Sequence, residues 1–528
     1  MNSVMREEGE GFVEGYYKVG LSHVREAVIS EHFMHKVNQS EGLAMLSADS
    51  FSGKALCISP AELGETLLPL LKETSVRFAI QRAEAARGRA GKNFQLFNLG
   101  NAREISPADV LAEVMYDRQF SRATNETVSR AALAKKVAIL MELREPIQMV
   151  IPALPYKCST PLKCRGRDPD FSEVGFLLFL FEIAKTVDLI YRSAVPDCKQ
   201  CMAYFTVISD GRRFNDFLFE PEEHIFRYQK SLAEWISVLS IADYVRIEDY
   251  KEVLEARLPA DLFARKAAIR KDVYREYEAL MGPLLDVDDM ESSLFRAIEQ
   301  EPDPETFYAE GRFVPLFKSL LYTIQNDTLA HYATRCGASL EESYAQLTKH
   351  IFTPFAELTE SDSLSIEAFF STPEARVEVP EEKIFEYLRR SMLAQTWDAT
   401  IHYLAEIRSD RDLEVDPIST CFPKAIRWTI HAKPGQFAIQ SNPACGIQAQ
   451  PWHGAAVFKE ASSGGIKLCA LPSVMAEGMG SVPILAGERK VGGSNEAQPM
   501  FYIHPSVACE RLDDFYSKLA AKFTRKRR

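Results

Sequence analysis

The sequence predicts an α/β protein, rich in helix, with a modest central sheet. Three observations predict it. Long segments repeat their apolar residues at helical spacing, strand-like runs are shorter and fewer, and 46% hydrophobic residues in a chain of 528 can bury a sizeable core without disulfides or metal. Helix-start signatures occur at Ser59-Pro60-Ala61-Glu62 and Ser106-Pro107-Ala108-Asp109, where serine can cap, proline suits the first helical position and an acid follows in the first turn. After Asp170, the residues Phe176, Leu180, Ile183, Val187 and Ile190 recur at spacings of four and three, marking the buried face of a long helix. Asp170 and Glu173 sit where a capping box would begin it. From Pro221 to about Lys349 the chain is charge-rich with helical spacing, as over 250–255 and 258–281, and reads as several surface helices. Pro380-Glu381-Glu382 opens another, running through Leu388, Met392 and Trp397 towards Ile407. Strand-like runs cover Tyr204–Ile208, Ile426–Ala432, Phe437–Gln440, Ala455–Phe458 and Phe501–Ile503, with their order in the sheet undetermined.

Charge narrows the function classes. Lys and Arg number 62 against 74 Asp and Glu, a formal net charge of -12, which argues against a general nucleic-acid binder and leaves any anionic ligand to local basic clusters. The acidic start MNSVMREEGEGF lacks the basic and apolar regions of a secretory signal. The apolar stretch Val174–Phe181 is cut off by Glu182, Lys185 and Asp188, far short of a membrane span, so a cytoplasmic protein without membrane partners is expected. Ten cysteines are scattered, and the close pair Cys198 and Cys201 has no second pair to complete a zinc site, so thiols in a reducing compartment are expected. The basic tail Lys522–Arg528 reads as a solvated terminus ahead of a nuclear or polyanion signal. No linker or fixed-period repeat marks a sharp domain cut.

Several familiar motifs fail. Gly9, Gly11 and Gly15 follow no strand and have the wrong spacing for a dinucleotide turn, and Ser52-Gly53-Lys54 lacks the upstream glycine of a phosphate-binding loop. No histidine begins an HxD or HxE pair, and neither GxSxG nor HExxH occurs.

Three constellations remain. The segment Pro155–Asp170 places Lys157, Lys163, Arg165 and Arg167 ahead of a helix N-terminus, an arrangement suited to a phosphate or carboxylate. A solvated basic loop paired with nearby acids explains the same residues, and for Asp170 and Glu173 capping is favoured over acid/base work. In Val207–Asp216 a hydrophobic strand runs into the polar tip Ser209-Asp210-Gly211-Arg212-Arg213, either a ligand loop at a strand's carboxyl end or a hairpin turn at Asp-Gly. In Ile426–Phe437, alternation puts Arg427, Thr429 and His431 on one strand face and Trp428, Ile430 and Ala432 on the other. That polar face carries an anion binder and a group that exchanges protons near neutral pH, although a lone strand histidine is more often structural. Pro451-Trp452-His453-Gly454 then leads into another short strand.

Taken together and in this order, these segments resemble the pyoverdine/dityrosine biosynthesis family, whose characterised members include isocyanide (isonitrile) synthases. The resemblance rests on PYK…LK…G…PD..E, ISDGR.F.D, IR..IHAK…F.I and PWH, and covers roughly residues 108 to 460. Lys157 and Lys163, Ser209 to Arg212 with Asp216, Arg427 with His431, and Trp452 with His453 match it. Departures are Arg165 and Arg167 where apolar residues are usual, a longer Arg192–Met202 connection, and Ala432 where proline is common, which suggests a divergent branch.

The resemblance implies a Rossmann-like central sheet flanked by helices. It also implies a reaction in which an amino acid's amine attacks the keto carbon of ribulose 5-phosphate, and dehydration and carbon-carbon cleavage leave that carbon on nitrogen as an isocyanide. Tyrosine or another aromatic amino acid is the favoured substrate. His431, His453 and Asp210 are then the candidate proton carriers, and Lys157, Lys163, Arg165, Arg212, Arg213, Arg427 and Lys433 the candidate binders of two anionic substrates. Asp170, Glu173 and Asp216 are expected to support them. No cofactor or metal is implied, and a downstream tailoring oxygenase is the implied partner class. The expected division is a helical extension over 1–107, a catalytic domain over 108–460 and a C-terminal extension over 461–528. Two rivals remain: formation of N-formyl-tyrosine, as in dityrosine spore walls, and a non-catalytic interaction protein in which Lys157, Arg212, Arg427 and His431 lie on separate surfaces.

Overall fold

The computed structural model describes residues 56–59, 61–96, 106–122, 128–157, 168–213, 222–281, 401–430, 435–439, 454–460, 466–471, 473, 476, 479–490, 497–507 and 511–524. The helices expected over 282–349 and from Pro380 to residue 400, and the tail 525–528, lie outside them.

Two five-stranded sheets organise these residues. The first holds β2 (Ile147–Ala153), β3 (Ala203–Ser209), β4 (Val245–Asp249), β5 (Ile426–Thr429) and β6 (Phe437–Ala438), in the order β4-β3-β2-β5-β6 and parallel throughout. The order runs outward from β2 in both directions, so it reverses between β2 and β5. That is the topological switch point of a Rossmann-like sheet, beyond whose carboxyl ends ligand crevices form. Helices cover both faces. Met149 and Ile151 belong to the cluster that includes Phe176, Leu180 and Leu232, whereas Val150 and Ile208 pack with Tyr250, Val253, Leu254 and Phe422.

The β2 strand was absent from the strand-like runs although it is central. Burial on both faces erases its alternation, and Pro146, Pro152 and Pro155 punctuate the run as a loop would be. The neighbouring expectation held: Tyr204–Ile208 lies within β3. The strand expected over Ile426–Ala432 ends at Thr429. Both expected helix starts formed, with Ser106 accepting from Asp109 N at 3.2 Å and Ser59 Oγ accepting from Glu62 N at 3.1 Å. The long helix occupies Phe171–Ala194, capped by Asp170 and Glu173 in a capping box.

The second sheet has the order β1-β9-β10-β7-β8, from β1 (Leu56–Ile58), β7 (Ala455–Glu460), β8 (Ile466–Leu471), β9 (Val482–Lys490) and β10 (Ala497–Ile503). It draws strands from all three expected segments, and a single hydrophobic cluster runs from Ile58 to Leu519. Phe171 at the start of the long helix packs on Phe458 and Phe501, joining this sheet to the first. Among the described residues no helix is long and apolar enough to cross a membrane.

Candidate functional site

The loops that follow β2, β3 and β5 leave the first sheet at its carboxyl ends. After β2 the chain passes Leu154, Pro155 and Tyr156 to Lys157, which is fully buried. Its ammonium makes ion pairs with Asp170 and, at 3.1 Å, with Glu173 Oε2, and donates to Ser172 Oγ at 3.2 Å. A solvated basic loop is therefore not what Lys157 belongs to: its charge is met inside the protein by the two capping acids. Glu173 Oε2 also accepts from Asp170 N at 2.8 Å, and Glu173 Oε1 accepts from the Tyr228 hydroxyl at 3.2 Å. Burial pushes the Glu173 carboxyl up, Lys157 pulls it down and Asp170 pushes it up again, leaving it raised to about 7. A group expected only to cap can thus hold or release a proton near neutral pH. Ser172 Oγ donates to the carbonyl of Gly454 at 3.3 Å, so the residue that precedes β7 reaches this cluster.

After β3 comes a short helical turn, Gly211–Arg213, and β3 is parallel to both neighbours, which rules out the hairpin reading of Asp210-Gly211. The turn is pressed against the β2 loop. Ser209 Oγ donates to Leu154 O at 2.8 Å, and a Cβ on Gly211 would stand 1.8 Å from Pro155 O, so only glycine fits. Arg212 pairs with Asp249 Oδ1 at 3.0 Å and Glu222 at 3.3 Å and lies over the Phe226 ring. Arg213 pairs with Glu406 at 2.8 Å and with Asp410. Burial opposes the Arg213 charge, but the carboxylates of Asp410 and Glu406 outweigh it and hold the guanidinium above its ordinary value.

On β5, Arg427 pairs with Asp416 at 3.1 Å and donates to the Trp428 carbonyl. Burial lowers its guanidinium despite Asp416, and Arg213 and Asp210 both act on it electrostatically, which puts the second and third motifs in one electrostatic neighbourhood. Lys163, Arg165, Asp216, His431, Lys433 and His453 lie outside the described residues. The loops carrying Lys157 and Arg212 are thus in contact, and Arg427 adjoins them. Among the described residues, no group of three His, Cys, Asp or Glu side chains is arranged to hold a metal ion.

Two sets of residues here were not singled out in the sequence. Lys266 donates to Glu406, Ser409 and Asp410 at 2.9, 3.0 and 2.6 Å, and Arg270 pairs with Glu406 at 3.1 Å, so helices Ala260–Met281 and 401–412 hold the partners of Arg213. Arg122 donates to Ile430 O at 2.6 Å and Ile439 O at 3.0 Å, clamping the carbonyl immediately before His431. No local pattern announces either, because the partners are about 140 to 310 residues apart in sequence.

Fold and site together define a doubly wound α/β protein with buried charged loops at its switch point. Residues 137–314 match the family model for a pyoverdine/dityrosine biosynthesis protein. It is 32% identical to an L-tyrosine isonitrile synthase of Pseudomonas aeruginosa over 25% of this chain and 40% of that protein. It is 30% identical to the L-tryptophan isonitrile synthase AmbI1 of Fischerella ambigua over 20% of this chain and 30% of that protein. The chain therefore spans less than half the length of these curated relatives. A crystal structure of the PvcA protein from Pseudomonas aeruginosa aligns over 75% of this chain and all of that one, with 19% identity and a TM-score of 0.39.

Proposed function

We propose that this protein is an isocyanide synthase that converts the amine of an L-amino acid, an aromatic one first, using ribulose 5-phosphate as the one-carbon donor. The observation that carries the reading is the meeting of the Lys157 and Arg212 loops, with Arg427 beside them, at the carboxyl ends of a parallel sheet. Similarity to tyrosine and tryptophan isonitrile synthases supports the reaction type and an aromatic amino acid as substrate.

The amine attacks the sugar's keto carbon, water is lost, and both carbon-carbon bonds of that carbon break, so that it alone stays on nitrogen and the rest of the sugar departs as two fragments. Each stage moves protons. Asp210, His431 and His453 are the proton carriers in this reading, and Glu173, raised to about 7, joins them as a buried group that can hold a proton. The described cations Lys157, Arg212, Arg213 and Arg427 are each already paired with carboxylates. They orient the loops, and Lys163, Arg165 and Lys433 are left as the groups to meet the two substrate anions.

Incubating the protein with an amino-acid panel and ribulose 5-phosphate labelled at the second carbon tests this by mass spectrometry. Label is expected on the amino-acid nitrogen as an isocyanide. Label retained in a formamide would favour N-formyl-tyrosine formation, and no transfer to any amine would sink both. His431→Gln is expected to lower turnover by on the order of a hundredfold.

A further inference from the structure

The connection Arg192–Met202, longer than the family pattern and carrying Cys198 and Cys201, has no part in the proposed reaction. It borders a cavity of about 460 Å³ whose other walls are Pro146, Tyr204, Asp243, Tyr244 and Arg246. Pro146 stands just before β2, Tyr204 is the second residue of β3, and Tyr244 and Arg246 flank the first residue of β4. The cavity therefore opens at the amino ends of the parallel strands, opposite the loops of Lys157 and Arg212.

Its lining holds three cations, Arg192, Lys199 and Arg246, against one acid, Asp243. Behind them the buried Asp188 carboxylate is shared by Arg192 at 3.5 Å, Lys185 at 4.0 Å, the Tyr244 hydroxyl at 3.1 Å and Met202 N at 2.9 Å. Four cations thus face two carboxylates, in a chain whose formal net charge is -12. Part of that surplus serves the fold, since Arg192 also donates to the carbonyls of Lys199 and Gln200 at 3.1 and 3.2 Å. Lys199 and Arg246 are different. Neither has an ion pair among the described residues, and the Arg246 guanidinium stands over the Tyr204 ring, 4.3 Å from its centroid. Cys201, which also lines the cavity, has its thiol pushed up to about 11 by burial, so it contributes no repelling negative charge.

We propose that this cavity binds a phosphate group, free or carried by a small molecule. A phosphate monoester is close to a dianion at neutral pH and matches the surplus of two positive charges. Two guanidiniums and an ammonium supply the charge-assisted donors that phosphate oxygens accept. The volume lies within the range of small-ligand pockets.

Calorimetric titration of the full chain with inorganic phosphate, and separately with glycerol 1-phosphate, tests the assignment. Lys199→Gln combined with Arg246→Gln is expected to weaken phosphate binding roughly tenfold, and Asp243→Asn to tighten it about threefold. These opposite signs report on this cavity and not on a second anion site. Tighter binding of the ester would identify a phosphorylated small molecule as the ligand, and equal binding would identify free phosphate. No phosphate binding by the unmodified chain, or the same affinity in all three proteins, would overturn the proposal. The titration needs no turnover, so its outcome and that of the labelled-sugar assay stand apart.

Discussion

At Lys157 one ammonium meets two carboxylates, whereas at Arg213 three cations, Arg213, Lys266 and Arg270, meet two carboxylates, Glu406 and Asp410. Both clusters are largely buried and both follow strands of the parallel sheet. Among the described residues the first has one carboxylate more than its cation, whereas Asp210 also acts on Arg213 and makes a third carboxylate beside the three cations of the second. Burial, with the Asp170 charge beside it, outweighs Lys157 and raises Glu173 to about 7, while around Arg213 the carboxylates outweigh burial and hold the guanidinium above its ordinary value. The Lys157 cluster can therefore exchange a proton near neutral pH. The Arg213 cluster can only hold its loop in place.

The largest expected effect comes where the two clusters meet. Gly211→Ala places a methyl group 1.8 Å from the Pro155 carbonyl oxygen, a backbone atom, and 2.8 Å from Ile225 Cγ2, so the β2 loop itself would have to shift. The cost should exceed about 4 kcal/mol, seen as loss of the cooperative thermal transition or a large fall in Tm. An unchanged Tm would mean that the two loops do not approach as described.

Glu406→Gln removes the carboxylate that pairs with Arg213, Lys266 and Arg270 and should cost about 3 kcal/mol in urea unfolding, with little change in that loss between about pH 5.5 and 8. Lys157→Met should cost about as much at pH 8, where two carboxylates are left together without a cation, but less at pH 5.5, where Glu173 is protonated. A loss equal at both pH values would break the contrast between the clusters.

The proton held by Glu173 has its own signature. Its folded value lies above the ordinary 4.5, so the stability it contributes is complete below about pH 4.5 and is lost as pH rises through about 7. Glu173→Gln should flatten that slope in unfolding free energy over the same window, and an unaltered slope would assign the proton elsewhere. Smallest is Tyr228→Phe, which removes the donor at 3.2 Å from Glu173 Oε1 and should cost about 1 kcal/mol.

The two clusters also differ in how far they could be read in advance. Asp170 and Glu173 are three residues apart and their capping box is a local pattern, and Lys157 lies only 13 and 16 residues before them. The motif that singled out Lys157 therefore already contained its partners, though not their burial. Glu406 lies 193 residues from Arg213 and 140 from Lys266, separations at which no periodicity carries information. The same limit hid Arg122, whose acceptors are 308 and 317 residues away.

By itself the sequence determined the local elements: the caps at Ser106 and Asp170, the buried face from Phe176 to Ile190, strand β3, and the segments that carry the family pattern. These follow from spacings of two to four residues, where steric and hydrogen-bonding preferences act within one element. Only the tertiary structure decided that β3 runs parallel beside a central β2, which turns Asp210-Gly211 from a hairpin into a strand-end loop. It alone also decided which acids meet which cations. Burial and Coulomb energy depend on distances in space, and these turned Lys157 from a loop cation into the buried partner of two carboxylates, and Glu173 from a cap into a group that can hold a proton.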